Sequence, residues 1–146
     1  MALDSDCYGY VPLPNKEWRP SFEAARSFLA TGARFLDLGC GVGTKVLRAQ
    51  RSGLDAWGLE LRPRYVRIAH KLGAQVIEGD ARKVIDVIED FDCVYLFHLL
   101  VDVEAEKALE QRTMTLMRPG SLLILYGVLL NPFDWAEIGP HVWCKP

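Results

Sequence analysis

Residues 35–44 read Phe-Leu-Asp-Leu-Gly-Cys-Gly-Val-Gly-Thr, and no other stretch constrains the fold so strongly. A short apolar run enters three glycines at alternate positions, Gly39, Gly41 and Gly43, and a helix-favouring segment follows. Glycine lets the backbone turn sharply and approach a ligand that a side chain would block. Free N–H groups at the start of the following helix favour an anionic group nearby. The bland alternative is a strand-to-helix turn with no ligand, but three glycines carry an entropic cost that such a turn does not require.

The rest of the chain repeats the strand-then-helix pattern. Apolar strand candidates cover residues 34–38, 56–60, 75–78, 93–97 and 121–126. Between them lie helix candidates at 44–51, from Pro63 to Gly73, at 82–88, and from an Asp102 cap to about Met117. Before them, Ser21 reads as an N-cap after Pro20, with Phe22, Ala25, Phe28 and Leu29 at helical spacing until Gly32. Residues 1–19 read as irregular, punctuated by Gly9, Pro12, Pro14 and Asn15. Strands that read as continuous apolar runs are buried on both faces. The expected fold is therefore α/β: a doubly wound, mostly parallel sheet with helices on both faces. The 146 residues fit one domain, 1–146, with an N-terminal arm or lid and a packing tail over 128–146 that could include a short strand at 141–144.

Charge and cysteine usage exclude several classes. The formal net charge is −2, so there is no global basic field to hold nucleic acid. Arg62, Arg64 and Arg67 lie close together, but at helical spacing they read as a solvated face. Cys7, Cys40, Cys93 and Cys144 lack the spacing of a zinc site or a redox pair, and the pattern suits a reducing compartment. Asp4 and Asp6 stand where a signal peptide would be basic and then apolar, and no run approaches a membrane span. A cytoplasmic protein with no membrane partner is expected.

Three acids sit at or just past the carboxyl ends of the first three strands. Asp37 precedes the first glycine by two residues, where it adds like charge against a pyrophosphate but suits a ligand carrying a sulfonium and an α-ammonium. That argues against a nicotinamide dinucleotide and for S-adenosylmethionine. Glu60, 23 residues past Asp37, is placed to hold two ribose hydroxyls; its plain reading is a charge at a helix start. Asp80 follows the third strand, where it could accept from an adenine amine, cap the next helix, or do both.

Asp37 with the three glycines, Glu60 and Gly79-Asp80 together resemble motifs one to three of the class I S-adenosylmethionine-dependent methyltransferases. Arg118-Pro-Gly-Ser-Leu-Leu-Ile-Leu125 resembles the segment leading into that family's fifth strand. The likeness spans roughly residues 33–127 and implies a Rossmann-like sheet. It implies that Asp37, Gly39, Cys40, Gly41 and Gly43 surround the methionine moiety, that Glu60 and Leu61 meet the ribose, and that Asp80 and Ala81 meet the adenine. The family's sheet has seven strands. After Tyr126 too little chain remains for a helix and two full strands, so a sheet shortened at its C-terminus is expected. Its fifth strand would then be an edge, covered by residues 133–143 or by a second copy of the chain.

No Asn/Asp-Pro-Pro-Tyr/Phe segment follows the fourth strand, which argues against nucleobase amines as acceptors. Val94-Tyr95-Leu96 and Tyr10-Val11-Pro12-Leu13-Pro14 are similar to strings in small archaeal-type protein-lysine methyltransferases, which implies a protein lysine as one acceptor; a small molecule is the other. Two residues are candidates for the acceptor side. His98 falls at the carboxyl end of the fourth strand, and Tyr10 would fold over the cofactor as part of a lid; each also reads plainly, as a hydrogen-bonded histidine and a packing aromatic. There is no metal constellation and no nucleophilic triad. A non-catalytic module of the same fold and an enzyme that cleaves the cofactor are the competing readings.

Overall fold

A computed structural model of the chain describes residues 12–83, 85–129, 132 and 134–146. In chain order the elements are α1 (Asn15–Ser27), β1 (Arg34–Leu38), α2 (Thr44–Arg51), β2 (Asp55–Glu60), α3 (Pro63–Leu72), β3 (Val76–Glu78), a 3-10 turn (Ile85–Asp90), β4 (Cys93–Phe97), α4 (Val103–Leu116), β5 (Leu122–Tyr126), β6 (Ala136–Gly139) and β7 (Val142–Cys144). The strands form one sheet in the order β3-β2-β1-β4-β5-β7-β6. The first five are parallel, and β7 pairs antiparallel with both β5 and β6.

Alternation along the central strands divides the core between the two faces. Phe35, Cys93, Tyr95, Leu122 and Ile124 pack on one side with Trp18 and Phe22 of α1, Val46 of α2 and Val66 of α3. Leu36, Leu38, Val94, Leu96, Leu123 and Leu125 pack on the other with Ile88 of the 3-10 turn and Leu109 and Met114 of α4. Successive strand side chains point to opposite faces, so both must be covered.

Two expectations need correction. The first helix begins at Asn15, not at Ser21, and Pro20 lies inside it. Trp18, Ser21, Phe22 and Ala25 form its buried stripe at helical spacing, and that burial outweighs the one hydrogen bond the proline omits. Ser21 is not a cap. Its hydroxyl donates to the Pro140 carbonyl and lies 2.6 Å from the Tyr126 hydroxyl, tying α1 to the hairpin.

The second correction concerns the C-terminal shortening. All seven strands are present; β6 and β7 are short, and no helix separates β5 from β6 among the described residues. β5 is not an edge, because β7 pairs with it through Leu122–Cys144, Leu123–Trp143 and Ile124–Val142. The tail does cover it, as expected, and the stated reason for a second copy on that edge falls away. Stacking of Tyr126 on His141, with ring centroids 4.0 Å apart, closes the β6–β7 turn onto β5.

Candidate functional site

The carboxyl ends of β1, β2 and β4 open onto a cavity of about 400 Å³, in the usual size range for small-molecule sites. Its floor is the glycine turn. The N–H groups of Gly39 and Cys40 both donate to the Leu59 carbonyl, at 2.8 and 3.0 Å, which pins the turn to β2. Gly39 sits at φ 74°, which favours glycine, and a Cβ there would meet the Leu99 side chain of the loop after β4 at 2.5 Å.

Asp37, Gly39, Cys40, Gly41, Glu60 and Leu61 all line this cavity, as do Asp80, Ala81 and His98. Gly43, expected at the cofactor with the other glycines, does not line it. It caps α2 at φ 82°, and a Cβ there would come within 2.8 Å of Ala74, so the local packing favours glycine. Tyr10 lies outside the described residues.

The two central acids are buried, at 3% exposure for Asp37 and 6% for Glu60. Glu60 is held from both sides: Oε2 accepts the Gly41 N–H at 2.8 Å and Oε1 the Arg62 N–H at 3.1 Å. Burial raises the Asp37 carboxyl well above its ordinary range; the Lys45 ammonium opposes that and the Glu60 charge adds to it. Burial lowers the Lys45 ammonium against the pull of Asp37. Lys45 donates to the Leu13 carbonyl at 2.8 Å, so the segment before α1 is tied to the cavity wall. Burial together with these two acids also pushes the Cys40 thiol up, which makes it an inert wall group and not a nucleophile. Asp80 is fixed by Arg82, whose backbone N–H and Nε reach Oδ1 at 2.9 and 3.0 Å while Nη2 reaches Oδ2 at 3.0 Å. Burial alone would raise its carboxyl, but the Arg82 bonds and charge hold it below the usual range.

A different wall lies beyond β4. Phe97, His98, Leu99, Leu100 and Leu109 border the cavity there, and the His98 backbone N–H donates to the Tyr126 carbonyl at 2.9 Å. Lys45, which was not singled out from sequence, also lines the cavity, as does Tyr95 of the Val94-Tyr95-Leu96 string. Lys45 sits in the first turn after the glycines, a signal that sequence reading could have used. From sequence Tyr95 carried only a family likeness and no assigned role; burial and the nearby Asp37 push its phenol up, so it stays protonated.

A parallel sheet that reverses order beside β1, with a glycine turn and paired acids at the switch, defines a nucleoside-ligand fold whose ligand carries positive charge. The family model for "Methyltransferase domain" matches residues 35–120. A ubiquinone biosynthesis O-methyltransferase of Xanthomonas campestris is 32% identical over 125 residues, covering 81% of this chain and 52% of the relative. The chain thus spans about half the length of the curated relatives it matches. Among solved structures, an RNA methyltransferase from Salinibacter ruber in complex with S-adenosyl-L-homocysteine aligns over 92% of both chains, with TM-score 0.69 and 21% identity. An S-adenosylmethionine-dependent methyltransferase from Mesorhizobium loti aligns over 71% of this chain and 51% of its own, with TM-score 0.56 and 25% identity.

This chain belongs to the class I S-adenosylmethionine-dependent methyltransferase family, and its cofactor is S-adenosylmethionine. The cavity fits that molecule: a buried carboxylate whose charge is only partly balanced is complementary to a sulfonium and an ammonium, and would repel a pyrophosphate.

Proposed function

We propose that this chain transfers a methyl group to a small, largely apolar acceptor through a hydroxyl oxygen. The observation that carries this is the wall beyond β4, where His98 is the one ionisable side chain among Phe97, Leu99, Leu100 and Leu109. The O-methyltransferase name of the Xanthomonas relative points the same way.

Bound S-adenosylmethionine supplies an already activated methyl group. The chain's task is to position and to keep water out. Asp37 and Glu60 hold the cofactor's charged and ribose ends, with Asp80 and Ala81 at the base. Leu99, Leu100 and Phe97 exclude water from the acceptor. His98 takes the hydroxyl proton as the oxygen attacks. In a second reading the acceptor is a protein lysine, favoured by Tyr95 in the cavity wall. We assign the cytoplasm as the site of action on the unbridged Cys40, Cys93 and Cys144.

The test is mass spectrometry of products after incubation with the cofactor and separate panels of phenolic small molecules and lysine peptides. Methylated phenols support the proposal, and methylated peptides alone would overturn it. His98→Ala is expected to lower kcat by about 10²- to 10⁴-fold while cofactor affinity changes less than about twofold.

A further inference from the structure

Helix α4 carries a second pair of acids that the cofactor does not use. Glu106 and Glu110 stand one turn apart and are buried, at 0% and 1% exposure. Oε1 of Glu106 accepts the Leu99 and Leu100 N–H groups at 2.7 and 2.8 Å, in the loop after β4. Glu110 accepts the Val128 N–H on Oε2 at 3.0 Å and the Leu129 N–H on Oε1 at 2.9 Å, in the segment after β5. A Cβ on Gly127 would fall on the Glu110 carboxylate, so the chain there approaches as closely as glycine permits. The fourth oxygen, Oε2 of Glu106, is buried and meets no donor.

An ionised pair would leave that oxygen as bare negative charge beside a second carboxylate, at strong cost in a low dielectric. A proton on it turns an orphaned acceptor into a donor toward Glu110. We propose that Glu106 and Glu110 hold one proton between them, and that this proton locks the loops after β4 and β5 onto α4 as one acceptor-side wall. Leu99 and Leu100 line the cavity, and Leu99 also packs on Gly39, so the clamp reaches the cofactor turn. Glu106 is a positioning residue, and the inference rests on reading these loops as the acceptor side.

The surrounding charges do not relieve the pair. The 3-10 turn packed on α4 carries Asp86, Glu89 and Asp90, the loops after β4 and β5 carry His98, Asp102 and Asp134, and α4 itself carries Glu104, Lys107 and Arg112; none of these charges acts appreciably on Glu106. Arg118 is spent on Asp92, and Lys145 on the Met114, Thr115 and Met117 carbonyls. Burial first, and then the hydrogen bond and charge of Glu110, push the Glu106 carboxyl up to about 8 against the pull of the Leu99 and Leu100 N–H groups. The clamp should therefore open just above neutral pH.

The test is amide hydrogen exchange by NMR on the whole chain from about pH 6 to about 9.5, corrected for intrinsic base catalysis. In wild type, protection at Leu99, Leu100, Val128 and Leu129 is expected to fall at least about tenfold across that range. Glu106→Gln offers the same acceptor oxygen and an N–H for Glu110, and should keep protection high and flat. Glu106→Ala should lack protection at Leu99 and Leu100 at every pH. Flat protection in wild type, or Glu106→Gln as unprotected as Glu106→Ala, overturns the clamp. Methyl transfer followed in parallel should lose kcat/KM over the same range in wild type but not in Glu106→Gln. Intact amide behaviour with no methylated phenol supports the clamp and counts against the acceptor assignment alone.

Discussion

Two pairs of buried acids bear on one cavity, Asp37 and Glu60 by lining it and Glu106 and Glu110 by holding the loops behind it, and they are resolved in different ways. Asp37 and Glu60 come from different strands, face a buried lysine, and border open volume. Glu106 and Glu110 come from one helix, form no ion pair with a cation among the described residues, and accept four backbone N–H groups. In the first pair Glu60 accepts two backbone N–H groups, and Asp37 faces the cavity with the burial cost of its charge only partly offset by Lys45, a cost that a cationic ligand would relieve. The second spends its capacity on the chain itself. A buried carboxylate therefore does not mark a ligand site by itself; what decides is whether it borders open volume, as Asp37 and Glu60 do, or is closed over by the chain, as Glu106 and Glu110 are.

The sharpest way to break this contrast is Glu106→Ala, which orphans the Leu99 and Leu100 N–H groups. It should cost about 3 kcal/mol of stability in denaturant titrations, since each buried unpaired donor costs about 1–3 kcal/mol. Asp37→Asn should do the reverse, leaving stability unchanged or raised while cofactor affinity falls about 30-fold, or about 2 kcal/mol, by calorimetry. Equal stability losses in the two variants would erase the distinction.

The pH dependence sharpens it further. Glu106 has a raised carboxyl, so between about 4.3, its unfolded value, and about 8 the folded chain binds more protons than the unfolded one. Stability should fall as pH rises through that window, by at most about 1.4 kcal/mol per pH unit from this group. Glu106→Gln should flatten the slope, as read by denaturation at several pH values. The smallest effect belongs to the other pair. A cationic ligand favours ionised Asp37, whose carboxyl is raised. Binding of S-adenosylmethionine should release less than about one proton, tighten as pH rises, and lose both effects in Asp37→Asn; calorimetry in buffers of different ionisation enthalpy reads this directly.

The cofactor half was legible because its chemistry is local. Gly39, Gly41 and Asp37 lie within five residues, and Glu60 and Asp80 end the next two strands, so strand order alone brings them together. Gly43 was less legible, because a glycine that packs against Ala74 carries the same letter as one that meets a ligand. Pro20 misled because a proline reads as a helix boundary unless the stripe through Trp18 is weighed against it. Too little chain seemed to remain for the last strands because the expected helix was counted; without it, 4 and 3 residues suffice for β6 and β7.

By itself the sequence determined the alternation of strands and helices, the glycine turn, the acids at the strand ends and hence the family, since each depends on spacings of a few residues along one chain. Tertiary structure decided the rest: that β7 covers β5, that Lys45 partly balances Asp37, that His98 lines the cavity beside Phe97, Leu99 and Leu100, and that Glu106 and Glu110 face backbone donors instead of water. On a helix, acids at i and i+4 read the same whether they are solvated or buried. Only packing against loops distant in sequence distinguishes them, because burial and the identity of a partner are not properties of a single segment.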